Sequence, residues 1–100
     1  VETEAQQPLV FELKNNYPNP FNPVTTINYQ VARSTQVRIA VYDLLGKEVA
    51  TLVDGRMAAG SHVITWNGRN NAGQSVSSGV YFCRMVSPEY THILKMTLLK

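Results

Sequence analysis

The chain has 100 residues, of which 44% are hydrophobic and 16% are charged, and it includes one Trp, five Tyr and three Phe. This length suits a single domain with a modest core, and the composition excludes a disordered tail. Nine Lys and Arg against seven Asp and Glu give a net charge of +2, and the basic residues are spread singly. The chain therefore lacks the basic cluster of a nucleic-acid-binding domain. No apolar run approaches the roughly 20 residues of a membrane-spanning helix.

The first eight residues are polar and acidic and end in a proline, which is typical of a linker that follows a preceding domain. The folded domain is therefore expected to span residues 9–100, and its first element is a short edge strand at residues 9–13. No signal-peptide pattern opens the sequence. Any N-terminal export signal is expected to lie outside this fragment.

An asparagine- and proline-rich segment follows at residues 15–23, with the sequence NNYPNPFNP. Its three prolines exclude a helix and bias the residues before them to extended geometry. We expect an ordered loop that Tyr17 and Phe21 anchor to the core. A strand with alternating apolar residues is predicted next, at Thr25–Val31.

A β-hairpin is predicted at residues 36–53, and we expect the rest of the domain to be organised around it. Val37, Ile39 and Val41 alternate with residues of the opposite face, which is the period of a half-buried strand. Asp43 can bond its own backbone at the entry to the turn, and Gly46 can adopt a positive φ at the exit. We interpret the hairpin as the sheet centre that covers the buried tryptophan and holds the proline-rich loop.

The remaining predicted elements are a connection (residues 54–60), a strand (61–67), a turn region (68–78) and two final strands (79–86 and 91–99). The connection has a glycine at both ends, Gly55 and Gly60, and is long enough to cross from one sheet to another. His62, Ile64 and Trp66 share one face of the next strand, and Trp66 is expected in the core.

About seven short strands separated by glycine and proline turns predict an all-β fold, an Ig-like β-sandwich of two antiparallel sheets. Cys83 is the only cysteine, so an internal disulfide is impossible. Its apolar neighbours favour a buried, unreactive thiol.

Residues with catalytic or metal-binding chemistry do not form a recognisable pattern. The two histidines, His62 and His92, are far apart in sequence, and the sequence contains only one cysteine. This argues against a zinc site. The serines of the turn region have no base placed beside them, and the asparagines Asn67, Asn70 and Asn71 have no carboxylate for a calcium site. We therefore expect no catalytic residue, no cofactor and no metal.

Several motifs that occur in order along the chain carry a family resemblance, through Tyr17, Pro18, Asn19, Pro20, Phe21, Asn22, Pro23, Tyr42, Asp43, Gly46, Trp66, Gly68, Gly79 and Tyr81. These motifs resemble one family, the type A C-terminal sorting domains of type IX secretion. The resemblance extends over residues 9–100. The Trp-Xaa-Gly and Ser-Gly-Xaa-Tyr segments also resemble the related Ig-like domain of flagellar hook-capping proteins, and the proline-rich opening and the ending favour the sorting family.

The resemblance implies a non-catalytic address on an exported protein of the Bacteroidetes type. Its partners are then the type IX translocon and shuttle components, and a sortase-like cysteine peptidase that cleaves within about residues 1–9 and leaves the cargo at the cell surface or outside the cell. We expect the translocon to recognise the terminal strand, by strand addition or through its lysines. The candidate recognition residues are Thr91, Leu94, Lys95, Met96, Leu98 and Lys100.

Two other functions remain open from the sequence. A carbohydrate-binding or adhesive module attached to an extracellular enzyme would use exposed aromatic residues such as Tyr90. A purely structural spacer would need no recognition surface.

Overall fold

The computed structural model describes residues 9–100, which form seven β-strands and no helix. The strands are β1 (Glu12–Leu13), β2 (Thr25–Val31), β3 (Thr35–Tyr42), β4 (Glu48–Met57), β5 (Gly60–Trp66), β6 (Gly79–Ser87) and β7 (Tyr90–Leu98). No helix long and apolar enough to cross a membrane is found among these residues. The predicted linker and cleavage region at residues 1–8 lies outside the described part of the chain.

The strands form two antiparallel sheets, one of three strands in the order β1-β2-β5 and one of four in the order β4-β3-β6-β7. Their apolar faces pack against each other, because alternate residues of each strand are buried. The predicted Ig-like β-sandwich of about seven strands is confirmed.

The predicted hairpin is formed by β3 and β4. Asp43 Oδ1 accepts hydrogen bonds from the backbone N–H groups of Leu45 and Lys47, at 2.9 and 3.0 Å. Gly46 has a φ of 84°, a conformation that a residue with a side chain adopts only with strain. Both turn residues therefore have the roles that the sequence predicted.

The crossover between the sheets is shorter than predicted. Strand β4 continues through Asp54, Gly55 and Arg56, which pair with β3, so that only residues 58–59 separate it from β5 in the other sheet. The predicted change of sheet is correct, but the assignment of residues 54–57 to the connection is wrong. An edge strand tolerates polar residues and a glycine because its outer face and free edge are solvated.

Trp66 lies in the core, as predicted. Its ring packs against Phe21 at 5.6 Å and against Tyr81 at 5.3 Å between ring centres, and its Nε1 donates a hydrogen bond to the carbonyl of Arg69 at 2.9 Å. Burial of an aromatic side chain of this size contributes roughly 2–3 kcal/mol, and the hydrogen bond removes the cost of burying its N–H.

The proline-rich loop joins the two sheets. On one side, Tyr17 exchanges two backbone hydrogen bonds with Thr26 of β2, each of 2.9 Å. On the other, Phe21 bridges to β7, where its N–H donates to the Thr97 carbonyl and its carbonyl accepts from Leu99 N–H, both at 2.9 Å. The loop is therefore held by β2 and β7, and the expectation that the hairpin holds it is wrong.

Only one of the two aromatic anchors predicted in this loop is correct. Phe21 is buried, whereas the side chain of Tyr17 is 79% exposed and contacts solvent. Asn16 is buried in place of Tyr17, and its amide donates to Thr25 Oγ1 at 3.0 Å. Adjacent residues of an extended segment face opposite sides, so burial of Asn16 turns Tyr17 outward.

A pair of glycine substitutions tests how tightly the loop packs. Gly68 has a φ of 72°, and an added Cβ would lie 3.2 Å from the carbonyl oxygen of Pro23. Gly46 has a similar φ, but an added Cβ there meets no atom within 4 Å. Gly46→Ala is expected to lower the free energy of unfolding by about 1–2 kcal/mol through backbone strain alone, and Gly68→Ala by about 1 kcal/mol more. Urea unfolding measures both, and equal losses would contradict the close contact.

The thiol of Cys83 is predicted to be unreactive in the folded protein. Cys83 is fully buried on β6, and burial raises its pKa to about 12. At pH 8 only about one thiol in ten thousand is then the reactive thiolate. Iodoacetamide is expected to label the protein fully in denaturant and negligibly without it. Rapid labelling of the native protein would contradict burial.

Candidate recognition surface

The six candidate recognition residues separate into two groups. Leu94, Met96 and Leu98 are buried and face the other sheet, so their side chains belong to the core. The other three, Thr91, Lys95 and Lys100, are exposed. A partner can therefore meet the backbone of β7 and these polar side chains, but not the three apolar side chains.

Strand β7 is an edge strand, because it pairs only with β6 in its sheet. In an antiparallel strand the N–H and C=O of alternate residues point to the same edge. Those of Thr97 point away from β6, since they bond Phe21 and Asn19. The register with β6 has no irregularity, so the outward-pointing set continues through Lys95, Ile93 and Thr91.

The proline-rich loop covers one half of this edge. The side chain of Asn19 donates to the carbonyl of Lys95 at 3.3 Å and accepts from Thr97 N–H at 3.0 Å, while Phe21 bonds the carbonyl of Thr97 and the N–H of Leu99. These bonds occupy outward groups that would otherwise be open to another strand. The motif residue Asn19 therefore protects the terminal strand.

The other half of the edge is open. Among the described residues, the outward N–H and C=O of Thr91 and Ile93 and the N–H of Lys95 form no hydrogen bond. The open half is bordered by Tyr90, whose hydroxyl accepts a hydrogen bond from Leu13 N–H at 3.0 Å. We call residues 91–95 the open edge. It is one strand segment that can accept another strand.

Three aromatic rings lie in a row beside the open edge. The ring of Tyr90 is 6.0 Å from Phe11 and 6.1 Å from His92, and the interplanar angles of 18° and 28° make both contacts stacked. Phe11 and Tyr90 are partly buried against the core, and His92 is exposed. The row therefore connects the two sheets, and His92 is its exposed member.

The motif residues lie in the proline-rich loop and its contact with the core, at the tip of the hairpin and at the start of β6. Phe21, Trp66, Gly68 and Tyr81 form the buried contact between the loop and the core, where Tyr81 also donates a hydrogen bond to the carbonyl of Ser77 at 2.6 Å. The exposed members of the loop are Tyr17, Pro18, Asn19, Pro20, Asn22 and Pro23, and the peptide bonds before its three prolines are cis. Tyr42, Asp43 and Gly46 lie at the tip of the hairpin, and Gly79 begins β6.

A polar network that the sequence did not predict covers the outer face of β3 and β4. Arg38 Nη2 donates to Glu48 Oε2 at 2.7 Å, and Thr51 Oγ1 donates to the same oxygen at 2.6 Å. The hydrogen bond from Arg38 and then that from Thr51 lower the pKa of Glu48, and the bond to Glu48 raises the pKa of Arg38. Because both side chains are about a third exposed, the pair contributes little to stability.

The histidines and asparagines considered as metal ligands do not cluster, and they contact other groups of the protein. No cluster of three or more His, Cys, Asp or Glu that could hold a metal occurs in residues 9–100. His62 stacks on Tyr29 at 5.1 Å. The side-chain oxygens of Asn67, Asn70 and Asn71 accept backbone N–H groups of their own loop or of β4.

Comparison with solved structures finds the same fold in PorU, PorZ and FlgD. Dimeric latent PorU of Porphyromonas gingivalis is 22% identical with a TM-score of 0.72, over 97% of this chain and 10% of that chain. PorZ, an essential bacterial surface component of the type IX secretion system of Porphyromonas gingivalis, is 21% identical with a TM-score of 0.59, over 86% of this chain and 11% of that chain. FlgD of P. aeruginosa is 22% identical with a TM-score of 0.58, over 80% of this chain and 70% of that chain.

At these identities the likeness shows the fold alone, and the chain spans about a tenth of the length of PorU and of PorZ. No curated protein matches the sequence. The sequence profile of the FlgD Ig-like domain, in contrast, matches residues 22–89, from the end of the proline-rich loop to the turn before β7. Because that match covers more than half of the chain, this protein belongs to the FlgD Ig-like domain family.

Proposed function

We propose that this domain is a type A C-terminal sorting domain, which directs an attached cargo protein across the outer membrane by type IX secretion. The observation that carries the proposal is the terminal strand β7, whose edge is covered over one half and open over the other. An open strand edge is a recognition element that another chain reads by adding a strand. The fold that the domain shares with PorU and PorZ supports the same role.

The open edge defines what the translocon or a shuttle component would contact. Backbone groups of Thr91, Ile93 and Lys95 supply the hydrogen bonds, and the exposed Lys95 side chain supplies a positive charge beside them. Lys100 is less available, because its Nζ contacts Ser75 and its N–H donates to Ser78 Oγ at 3.1 Å. Recognition therefore centres on residues 91–95 and not on the last residues of the chain.

In this proposal the domain is an address and performs no catalysis. A sortase-like cysteine peptidase removes it by cleavage within about residues 1–9, and the cargo remains at the cell surface or is released. The exposed start of the described chain, at Leu9 and Val10, is compatible with access by a peptidase.

A proline in the open edge tests the proposal. The N–H of Thr91 points away from β6, so Thr91→Pro removes an outward donor without breaking the β6–β7 ladder. A periplasmic reporter fused to the complete domain is expected to appear outside a host that has type IX secretion. Thr91→Pro is expected to reduce that export about tenfold, which corresponds to a loss of about 1.4 kcal/mol in recognition.

The control is Thr91→Val, which keeps the N–H and is expected to be exported normally. Thermal unfolding of each purified domain shows whether the variants fold. A folded Thr91→Pro domain that is exported as well as the unchanged one would exclude the open edge as the signal. Deletion of residues 91–100 is a poorer test, because it removes Leu94, Met96 and Leu98 from the core.

A second candidate function, carbohydrate binding by a module attached to an extracellular enzyme, is favoured by the row of Phe11, Tyr90 and His92. Stacked aromatic rings offer apolar faces to sugar rings. Because Tyr90 also ties β7 to β1, the exposed His92 is the better residue to change. Binding to a polysaccharide that His92→Ala abolishes would support this function. Export of the reporter without any such binding would support sorting.

A further inference from the structure

A second surface lies at the tip of the β3–β4 hairpin, on the outer face of the four-stranded sheet. It is a groove of about 420 Å³ lined mainly by Tyr42, Leu44, Phe82, Arg84 and Ile93. The last four of these lie on the turn and on β6 and β7, so that the groove crosses the sheet towards the open edge. We call it the hairpin-tip groove.

The groove exposes more apolar surface than the fold requires. Leu44 is 68% exposed and Ile93 is 53% exposed, and the adjoining Leu45 is 93% exposed. The geometry of the turn depends on Asp43 and Gly46, so neither leucine is needed to form it. Apolar residues grouped on an outer face and bordered by polar ones are characteristic of an interaction site.

The groove also holds a cation in a fixed position. The guanidinium of Arg84 lies 5.1 Å from the centre of the Tyr42 ring, and its Nη2 donates to the Tyr42 hydroxyl at 3.4 Å. Arg84 forms no ion pair with any residue from 9 to 100, in contrast to Arg38, which pairs with Glu48. Lys95, the cross-strand neighbour of Phe82, adds a second positive charge beside the groove.

The one carboxylate of the groove, Asp43, forms no ion pair with Arg84. Oδ1 of Asp43 is directed into the hairpin turn, where it accepts the N–H groups of Leu45 and Lys47. The groove therefore offers apolar walls beside an arginine that is already oriented for a partner. An arginine fixed in this way binds a carboxylate with less loss of side-chain entropy than a free one.

We infer that the hairpin-tip groove docks an acidic segment of a partner protein, with a large apolar side chain between Leu44, Phe82 and Ile93 and a neighbouring carboxylate on Arg84. A second copy of this chain fits less well, because a two-fold pairing over the groove brings two Arg84 side chains into one small interface. The inference goes beyond the proposed function, which concerns the backbone of the open edge. Ile93 belongs to both surfaces, so one partner can occupy them together.

Titration of the isotope-labelled complete chain with two synthetic peptides, followed by amide NMR shifts, tests the inference. In one short peptide phenylalanine and glutamate alternate, and in the other lysine replaces glutamate. The acidic peptide is expected to shift the amide signals of Leu44, Phe82, Arg84 and Ile93, and the basic peptide is not. Arg84→Glu is expected to weaken binding of the acidic peptide about tenfold or more.

The matched control is Arg56→Glu, which makes the same change of charge on β4 far from the hairpin tip, and it is expected to leave binding within about twofold. A preserved amide spectrum verifies that each variant folds.

Equal shifts with both peptides, or an unchanged affinity in Arg84→Glu, would overturn the inference. So would shifts at the groove that grow with protein concentration alone, because a second copy would then be the occupant. Since no secretion machinery is present, a negative result leaves the sorting proposal standing.

Discussion

The insertion of Phe21 between the two sheets is the contact on which the rest of the structure depends. A β-sandwich has two open sides, and here one of them is crossed by the proline-rich loop, which pairs with β2 through Tyr17 and with β7 through Phe21. The ring of Phe21 packs on Trp66 and so couples this closure to the core. Because the same loop both fills the core and bonds the terminal strand, the loop and β7 form one structural unit.

With the sandwich closed in this way, the hydrogen-bonding groups that we propose for recognition lie at a strand edge and not in a pocket. Residues that face inward are apolar and close-packed. Asn16, a buried polar side chain of the loop, donates to Thr25 Oγ1, while its Oδ1 has no hydrogen-bond partner among residues 9–100. The two surfaces that we propose for recognition are the backbone at residues 91–95 and the outer face of the four-stranded sheet. Both surfaces include residues of β7, which pairs with β6 along its whole length.

Much of this fold could be predicted from local patterns. The alternation of Val37, Ile39 and Val41 identified a buried strand, and Asp43 with Gly46 identified its turn, because both signals act between residues close in sequence. The end of β4 was missed because Asp54 and Gly55 resemble a turn locally. Whether they pair depends on β3, which is a partner that periodicity does not reveal.

The candidate site was less predictable for a related reason. The recognition role that we propose for β7 follows from the resemblance of the last residues to the sorting family. That β7 is an edge strand depends on the order of strands, which involves contacts between residues distant in sequence. The bonds from Asn19 to Lys95 and Thr97 join residues more than seventy positions apart. Likewise, Leu44 and Leu45 are exposed because the tip of the hairpin projects from the sheet. The sequence does not reveal this, because a pair of apolar residues is more often buried.

The partial cover of β7 has a further consequence for specificity. A fully open edge would accept a strand in several registers, which is the origin of non-specific aggregation of sheets. Asn19 and Phe21 end the accessible ladder at Lys95, and Tyr90 borders it at the other side, so a partner strand has a single short segment with which to pair. So few backbone bonds give weak binding on their own. In the recognition that we propose, a second contact adds to the affinity, and the hairpin-tip groove can supply it because it shares Ile93 with the edge.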